Sequence, residues 1–309
     1  MKANIIHRFG PPDLIMFAET EMPRPGNGEV LVRVMASGVG PWDGWIRAGK
    51  SVLPQPLPLT LGSDLSGIVQ EIGEGVADIR VGDEVFGVTN PRFTGANAEY
   101  ALASAKMIAA KPKDITHIEA ASLPVVAVTA WQMLFDHGGL KANQKVLILG
   151  AAGNVGSYAV QLARAAGARV LASASRDRTD NLRSLGADQV FDGRAQGLPN
   201  DVKDIDLVID TVGGEAQAQA LEALTRGGVL ISAVSEPDRN AANRLGVKAA
   251  FMLVDVTSSA LKSITRLLDA KGLRTNVGTI LGLAELRRAH EMLEGVRAPK
   301  GGKIVLEGS

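Results

Sequence analysis

The chain has 309 residues, 46% of them hydrophobic and 21% charged, and its 33 basic residues balance its 33 acidic ones. A folded chain of this length normally forms two domains, and a zero net charge argues against nucleic acid or an anionic membrane surface as a partner. Because the chain has no cysteine, it has no disulfide, no thiol nucleophile and no thiolate ligand for zinc. Its N-terminus lacks the apolar segment of a signal peptide, so we expect a cytoplasmic protein with no membrane partner.

The first third of the chain alternates short apolar runs with glycine and proline, which is typical of a mostly antiparallel β domain. Pro54, Pro56 and Pro58 lie between two of these runs. They predict a stiff loop, because proline donates no backbone hydrogen bond and fixes φ. The predicted strands cover residues 30–35, 66–72, 83–88 and 98–102.

From Lys145 onward, continuous apolar runs alternate with helical segments, a pattern that indicates a parallel sheet with helices on both faces. The predicted strands cover residues 146–149, 169–174, 207–209 and 229–234, and a run at 251–256 is expected to close the sheet. Two helices at 258–271 and 283–293 and a strand at 303–306 are predicted to follow.

The first of these parallel strands runs into a glycine-rich turn. Gly150, Gly153 and Gly156 follow the spacing G-x-x-G-x-x-G and precede an amphipathic helix. Glycine permits positive φ in the turn, lets a pyrophosphate approach the backbone, and lets the helix pack closely on the strand. The helix N-terminus adds N–H donors and partial positive charge. The pattern predicts a dinucleotide site, with a purely connecting turn as the alternative.

The end of the second parallel strand indicates which dinucleotide binds. An NAD site usually has an acidic residue there, whereas this chain has Ser173, Ser175, Arg176 and Arg178. Hydroxyl and guanidinium groups suit a 2′-phosphate, so we expect NADPH as the cofactor. In the alternative interpretation, the two arginines begin a solvated helix and Asp177 meets the ribose.

Six short motifs occur in a specific order along the whole chain. They cover residues 62–69, 81–85, 123–131, 150–156, 210–214 and 302–306. Together they resemble the zinc-independent quinone oxidoreductase-like branch of the medium-chain dehydrogenase/reductase superfamily. The resemblance implies an α/β fold, with a Rossmann doubly wound parallel sheet plus a GroES-like, mostly antiparallel β domain. We expect the Rossmann NADP(H)-binding domain at 119–257 and the GroES-like substrate domain at 1–118 and 258–309.

The resemblance also implies a homodimer joined through the last strand of the nucleotide domain, and it implies roles for particular residues. Val212 and Phe251 have an alternative interpretation as core residues. The cofactor-binding residues expected beyond the 2′-phosphate corner are Gly153, Asn154, Val155 and Gly156 at the pyrophosphate, Thr129 and Phe251 near the nicotinamide, Val212 and Gly213 beside the cofactor, and Lys303 from the tail.

Two departures from the family pattern affect the expected substrate site. Related quinone reductases commonly have asparagine where this chain has Gly40, and tyrosines near Trp45 and near Lys50 or Ser51. The substrate site is therefore altered, which puts quinone itself in doubt as the acceptor.

The histidines of the chain do not have the spacing of metal ligands. They are His7, His117, His137 and His290. We therefore expect no catalytic metal.

The expected reaction is hydride transfer from NADPH to a small hydrophobic acceptor, either a quinone or an α,β-unsaturated carbonyl compound. The protein's part is to position the acceptor, to exclude water and to donate hydrogen bonds to the oxygen that gains charge. The candidate catalytic donors are Trp45, Arg47 and Ser51, and the proton is expected from solvent.

Each of these roles has a structural alternative. Trp42 and Trp45 are three residues apart and can pack on one face of a helix, while Arg47 can pair with a carboxylate. Two other functions also stay open. One is a non-catalytic NADPH-binding redox sensor, since fold does not settle function, and the other is an NADP-dependent alcohol dehydrogenase, which the missing zinc ligands disfavour.

Overall fold

The computed structural model describes residues 1–193, 197–298 and 300–308. The strands of the described residues are, in chain order, β1 (Lys2–Ile6), β2 (Met16–Glu19), β3 (Glu29–Val39), β4 (Leu59–Thr60), β5 (Asp64–Ile72), β6 (Glu84–Val88), β7 (Tyr100–Ser104), β8 (Ile108–Ala110), β9 (Lys145–Leu149), β10 (Arg169–Ala174), β11 (Gln189–Asp192), β12 (Ile205–Asp210), β13 (Leu224–Ser232), β14 (Lys248–Phe251), β15 (Val277–Gly282) and β16 (Lys303–Glu307).

The α-helices of the described residues are α1 (Pro41–Arg47), α2 (His117–Ala121), α3 (Pro124–Trp131), α4 (Asn154–Ala165), α5 (Thr179–Ser184), α6 (Gly214–Glu222), α7 (Arg239–Leu245), α8 (Ser258–Asp269) and α9 (Leu286–Leu293). A π-helical turn, Gln132–His137, continues α3. Within the described residues, no helix combines the length and the apolar character needed to cross a membrane.

The chain divides into a first unit, Met1–Val125 with Val256–Ser309, and a second unit, Val126–Asp255. The first boundary therefore follows α2, whereas the sequence places it at the start of that helix. The reason is packing, because Ile118 and Ala121 of α2 lie against Ala36 and Val305 of the first unit.

The first unit is a β structure. Its larger sheet has the order β15-β16-β3-β5-β6-β8 with β7 also paired to β3, and a small sheet has the order β2-β1-β4. All of these pairs are antiparallel except β15 with β16. Val30, Val32 and Val34 of β3 pack in the core with Leu65 and Val69 of β5, as expected for strands with alternating inward positions. The predicted antiparallel domain is confirmed.

The second unit is a six-stranded sheet with the order β11-β10-β9-β12-β13-β14, and every pair is parallel. Val146, Leu147 and Ile148 of the central strand β9 are fully buried, which explains the unbroken apolar run in the sequence. This order is that of the doubly wound dinucleotide-binding fold. The predicted Rossmann-type sheet is confirmed.

The last strand of this sheet begins earlier than the sequence suggests. The predicted strand at 251–256 is wrong, because the ladder between β13 and β14 ends where Ser232 faces Phe251. Beyond that point Met252 and Val256 are buried while Leu253 is 63% exposed. The apolar residues after Phe251 therefore belong to the segment that leaves the sheet.

Candidate functional site

The glycine turn after β9 has no room for side chains at two of its three glycines. Gly150 has φ 72°, and a β-carbon there would lie 2.5 Å from Oγ1 of Thr211. A β-carbon on Gly156 would lie 2.3 Å from the carbonyl oxygen of Gly150. Gly153 is the N-cap residue of α4 and donates its N–H to Gly150 O at 2.9 Å. The turn is thus a bare backbone cradle at a helix N-terminus, the environment that suits a pyrophosphate.

Helix α4 holds this cradle against the sheet. Every residue from Gly156 to Ala163 is buried, so this part of the helix is packed around its whole circumference. Asn154 and Val155, at its first turn, are half-buried. The predicted pyrophosphate residues therefore lie together at the carboxyl edge of the parallel sheet.

The end of β10 lies next to the glycine turn, because Ala151 N–H donates to Ser173 O at 2.9 Å. Ser173 is 9% exposed, and Arg178 N–H donates to Ser175 O at 3.0 Å. The Arg178 Nε lies 3.5 Å from Oδ2 of Asp177. Arg178, which was predicted at the 2′-phosphate, and Asp177, the alternative residue for the ribose, therefore lie side by side at this corner. The Arg176 side chain lies outside the part of the chain that the structure describes.

A buried carboxylate for which the sequence predicted no role organises the next loop of this edge. Asp210 ends β12 and is fully buried. Its Oδ1 accepts the N–H groups of Val212 and Gly213 at 2.9 and 2.8 Å. Its Oδ2 accepts Gln217 Nε2 at 2.8 Å and Ser232 Oγ at 2.7 Å. A single side chain thus fixes the loop after β12 and the end of β13, and the only local signal was its position before a Thr-Val-Gly-Gly segment.

The remaining predicted cofactor residues of the second unit differ in exposure. Val212 is 52% exposed, so it is not a core residue, and Gly213 has φ 77°. Phe251 ends β14 and is half-buried, while Thr129 lies in α3 at 5% exposure.

The loops after β9 and β12 are in contact, because Thr211 Oγ1 donates to Leu149 O at 2.7 Å. They flank the point where the strand order reverses, which is the binding position of this fold.

In the first unit, the predicted catalytic segment has one exposed and one half-buried candidate. Trp45 on α1 is 56% exposed. Ser51 is half-buried, and its Oγ accepts Leu53 N–H at 3.2 Å and Gln55 Nε2 at 3.3 Å. Trp45 and Ser51 therefore stay candidates for contact with a substrate.

Arg47 is placed differently, and its predicted role needs correction. Its guanidinium donates Nε–H to Nδ1 of His290 at 3.1 Å, donates to Gly10 O, and pairs with the Glu294 carboxylate. Arg47 is 1% exposed. Because these partners use its donors inside the first unit, Arg47 ties α1 to α9 and is not a donor to an acceptor molecule.

The same contact predicts how stability depends on pH. Burial, together with the Arg47 charge, lowers the pKa of His290 to about 3. Below pH 6.5, the ordinary pKa of histidine, His290 binds a proton in the unfolded chain but not in the folded chain. The free energy of unfolding therefore decreases as the pH falls. From about pH 7.5 to about pH 4.5, the wild type should lose about 2.5–3 kcal/mol more of its unfolding free energy than His290→Asn. Urea unfolding at both pH values measures this difference, and equal losses would refute it.

Lys303 also needs correction as a cofactor residue. Its ammonium donates to Oδ2 of Asp64 at 2.7 Å, and the two side chains are 1% and 0% exposed. It also lies 4.1 Å from the centroid of the Trp42 ring. Burial raises the pKa of Asp64, against the lowering effect of Lys303. This lysine is thus held within the first unit by an ion pair and a cation–π contact.

A second buried carboxyl lies close to this pair. Asp43 is fully buried, and its Oδ2 accepts the N–H of Gly40 at 2.7 Å. Burial raises its pKa to about 7, although the Gly40 hydrogen bond and the Lys303 charge act in the opposite direction. Its Oδ1 has no hydrogen-bond partner among the residues that the structure describes. Asp43 therefore shapes the first turn of α1, and its burial favours the protonated carboxyl.

The class of protein follows from the second unit. A doubly wound parallel sheet, with a glycine cradle at its carboxyl edge and a fixed loop across the strand-order reversal, is the fold of dinucleotide-dependent oxidoreductases. Two family models match this chain: the alcohol dehydrogenase GroES-like domain at residues 26–113 and the zinc-binding dehydrogenase model at residues 185–306.

Curated relatives and solved structures agree with the family models. The mouse NAD(P)H oxidoreductase RTN4IP1, mitochondrial, is 34% identical over 85% of this chain and 73% of its own length. The 2-methylene-furan-3-one reductase of Solanum lycopersicum is 33% identical over 77% of this chain and 64% of its own length. The chain belongs to the quinone oxidoreductase-like branch of the medium-chain dehydrogenase/reductase superfamily, and it is an oxidoreductase of that family.

Two solved structures of quinone oxidoreductases cover nearly the whole of both chains. The Coxiella burnetii enzyme has 31% identity and a TM-score of 0.89, over 100% of this chain and 99% of its own. The Escherichia coli enzyme, complexed with NADPH, has 25% identity and a TM-score of 0.88, over 99% of this chain and 100% of its own.

One of the matching family models is described as zinc-binding, which makes the arrangement of possible zinc ligands in this chain relevant. Among the described residues, no three His, Cys, Asp or Glu side chains lie close enough to hold an ion. His117 contacts Ser66 Oγ at 2.8 Å and Glu84 Oε1 at 3.3 Å, and His290 contacts Arg47. This donor set does not fit a zinc ion, which needs three or four converging ligands.

Proposed function

We propose that this protein is a zinc-independent, NADPH-dependent reductase of quinones or α,β-unsaturated carbonyl compounds. The observation that carries the proposal is the glycine cradle of Gly150 and Gly156, next to a corner of serine and arginine after β10. The NADPH complex of the Escherichia coli relative and the name of the Solanum lycopersicum relative support the choice of cofactor and of acceptor.

In this proposal the carboxyl edge of the second unit binds the cofactor. Gly153, Asn154, Val155 and Gly156 hold the pyrophosphate through backbone N–H groups. The ribose 2′-phosphate is held by Ser173, Ser175, Arg176 and Arg178, and the nicotinamide end by Thr129, Val212, Gly213 and Phe251. When bound, NADPH supplies a hydride.

The first unit recognises the acceptor in this proposal. Trp45 donates its indole N–H, and Ser51 its hydroxyl, to the carbonyl oxygen as that oxygen gains negative charge. Val52 and Leu53 follow Ser51 in the sequence and are 79% and 43% exposed. An acceptor that covers these apolar side chains would exclude water and so strengthen the hydrogen bonds to its oxygen. The proton that completes the reduction comes from solvent.

The localisation and the assembly of the protein are further parts of the proposal. We place it in the cytoplasm, although the mouse relative is mitochondrial by name. We also propose a homodimer that pairs through β14, which lies at one end of the parallel sheet. Sedimentation velocity on the intact chain tests the dimer, which a monomer at micromolar concentration would contradict.

The decisive test is loss of NADPH absorbance on addition of p-benzoquinone or, separately, of cyclohexenone, with and without a metal chelator. We expect turnover with at least one acceptor, unchanged by the chelator and faster with NADPH than with NADH. Tight NADPH binding without turnover of either acceptor would favour the sensor. Turnover abolished by the chelator would contradict zinc independence.

Arg178→Ala tests the choice of cofactor. Loss of a charged hydrogen bond costs about 1.5–3 kcal/mol, so NADPH should bind about 10–100-fold more weakly while NADH binding changes little. The matched control is Arg183→Ala, because Arg183 lies on α5 with a 63% exposed side chain and pairs only loosely with Asp180, at 4.0 Å. Titration of nicotinamide fluorescence measures both cofactors, and an equal effect on both would contradict a 2′-phosphate contact.

A further inference from the structure

Position 40 combines ordinary backbone geometry with a complete lack of room for a side chain. Gly40 has φ −134° and ψ 171°, an extended conformation that any residue adopts. A β-carbon there would lie 2.3, 2.5 and 2.6 Å from Cη2, Cζ3 and Cζ2 of Trp42. Glycine is therefore required by the volume of the Trp42 indole and not by the backbone.

The indole is held in this place from several directions. Its Nε1–H donates to Ser63 Oγ at 2.9 Å. The ammonium of Lys303 lies 4.1 Å from the ring centroid and is itself fixed by Asp64. Trp42 also packs against a buried cluster that contains Ile46. Moving the ring aside would break a hydrogen bond, a cation–π contact and apolar packing at the same time.

Within this group, Trp42 is the member that meets solvent. Ser63, Asp64 and Lys303 are at most 1% exposed, whereas Trp42 is half-buried. Trp42 lies three residues before Trp45 on α1, the spacing of neighbouring side chains on one helix face, and Trp45 is a proposed acceptor contact. Beside that contact, Trp42 offers a flat, fixed, apolar surface.

On the basis of the proposed function, we propose that the Trp42 indole forms a rigid wall of the acceptor site and restricts the enzyme to compact, flat acceptors. Because moving the ring would break these contacts, a fused-ring acceptor would clash with it. A single-ring quinone or a short enone would not. Trp42 contributes shape and apolar contact, whereas the proposed hydrogen bonds to the acceptor oxygen come from Trp45 and Ser51.

The test compares kcat/KM for p-benzoquinone and for the larger menadione, with NADPH, in the wild type, Trp42→Phe and Trp42→Ala. The ratio of menadione to p-benzoquinone should rise about tenfold or more in Trp42→Ala, and less in Trp42→Phe. The Kd of NADPH should not change. Val81→Ala, which truncates a 63% exposed side chain of the first unit, is the control and should leave the ratio unchanged.

A second measurement tests the wall without turnover. Gly40→Ala should lower Tm in the wild-type background, because its methyl group meets the ring, and should lower it much less in the Trp42→Ala background. Equal Tm losses in both backgrounds would overturn the inference. So would a quinone ratio that stays within about twofold in both tryptophan variants, in an enzyme that reduces p-benzoquinone. A wild type that reduces no acceptor instead overturns the proposed function, and the specificity inference falls with it.

Discussion

Replacing Gly156 by valine should weaken NADPH binding by about 100-fold or more. The reason is steric, because the first side-chain atom would lie 2.3 Å from the carbonyl oxygen of Gly150. Relief of this overlap requires the N-terminus of α4 to move away from the turn, and the backbone donors move with it. Fluorescence titration with NADPH measures the loss.

Two further variants make this prediction specific. Gly153→Ala should have an intermediate effect, because its β-carbon would lie 3.2 Å from the same oxygen. Gly44→Ala is the control, since a β-carbon on this helical glycine meets nothing within 4 Å, and alanine should stabilise the helix by about 0.5–1 kcal/mol. An unchanged Kd in a folded Gly156→Val protein would mean that the cofactor does not use this turn.

Replacing Lys303 by methionine should destabilise the first unit by about 3–5 kcal/mol. Asp64 would keep its hydrogen bond from Val125 N–H, at 3.2 Å, but its charge would be buried without a counter-charge. Urea unfolding of the variant and the wild type gives the difference in unfolding free energy.

The double variant Lys303→Met with Asp64→Asn should recover most of that loss, because no charge is then buried. Recovery should stop short of the wild type by about 1–2 kcal/mol, since the cation–π contact with Trp42 is also gone. If the single variant unfolds at the wild-type urea concentration, or the double variant is no better than the single one, the ion pair does not stabilise the protein in the way described.

The sequence predicted the architecture because its strongest signals are local. Unbroken apolar runs such as Val146 to Leu149 mark buried parallel strands, and the glycine spacing marks the turn that follows them. The extent of strands was harder to predict, since Met252 and Val256 are buried although they follow the last residue of β14.

The misplaced site residues have a common physical cause. Lys303 lies 239 positions from Asp64, and Arg47 lies 243 positions from His290. No local pattern shows that two residues so far apart in the sequence form a buried pair. A buried cation and a ligand-binding cation look alike in the sequence, and only the fold distinguishes them.

Trp42 and Asp210 were visible in the sequence, but the contacts that fix them were not predicted. The sequence allowed Trp42 and Trp45 to pack together on one face of a helix. In the structure, Trp42 donates a hydrogen bond to Ser63, whereas Trp45 is 56% exposed. The absent side chain at Gly40 was noted as a departure from relatives. Its cause, the volume of the neighbouring indole, needed coordinates.

Hydrogen–deuterium exchange of the intact protein shows whether NADPH binds at the carboxyl edge of the parallel sheet. On saturation with NADPH, we expect protection to concentrate in three segments, residues 150–156, 173–178 and 211–214. Protection of these segments together, and less of it with NADH at 173–178, is the predicted result. Saturable binding that leaves all three segments unchanged would mean that NADPH binds elsewhere on the protein.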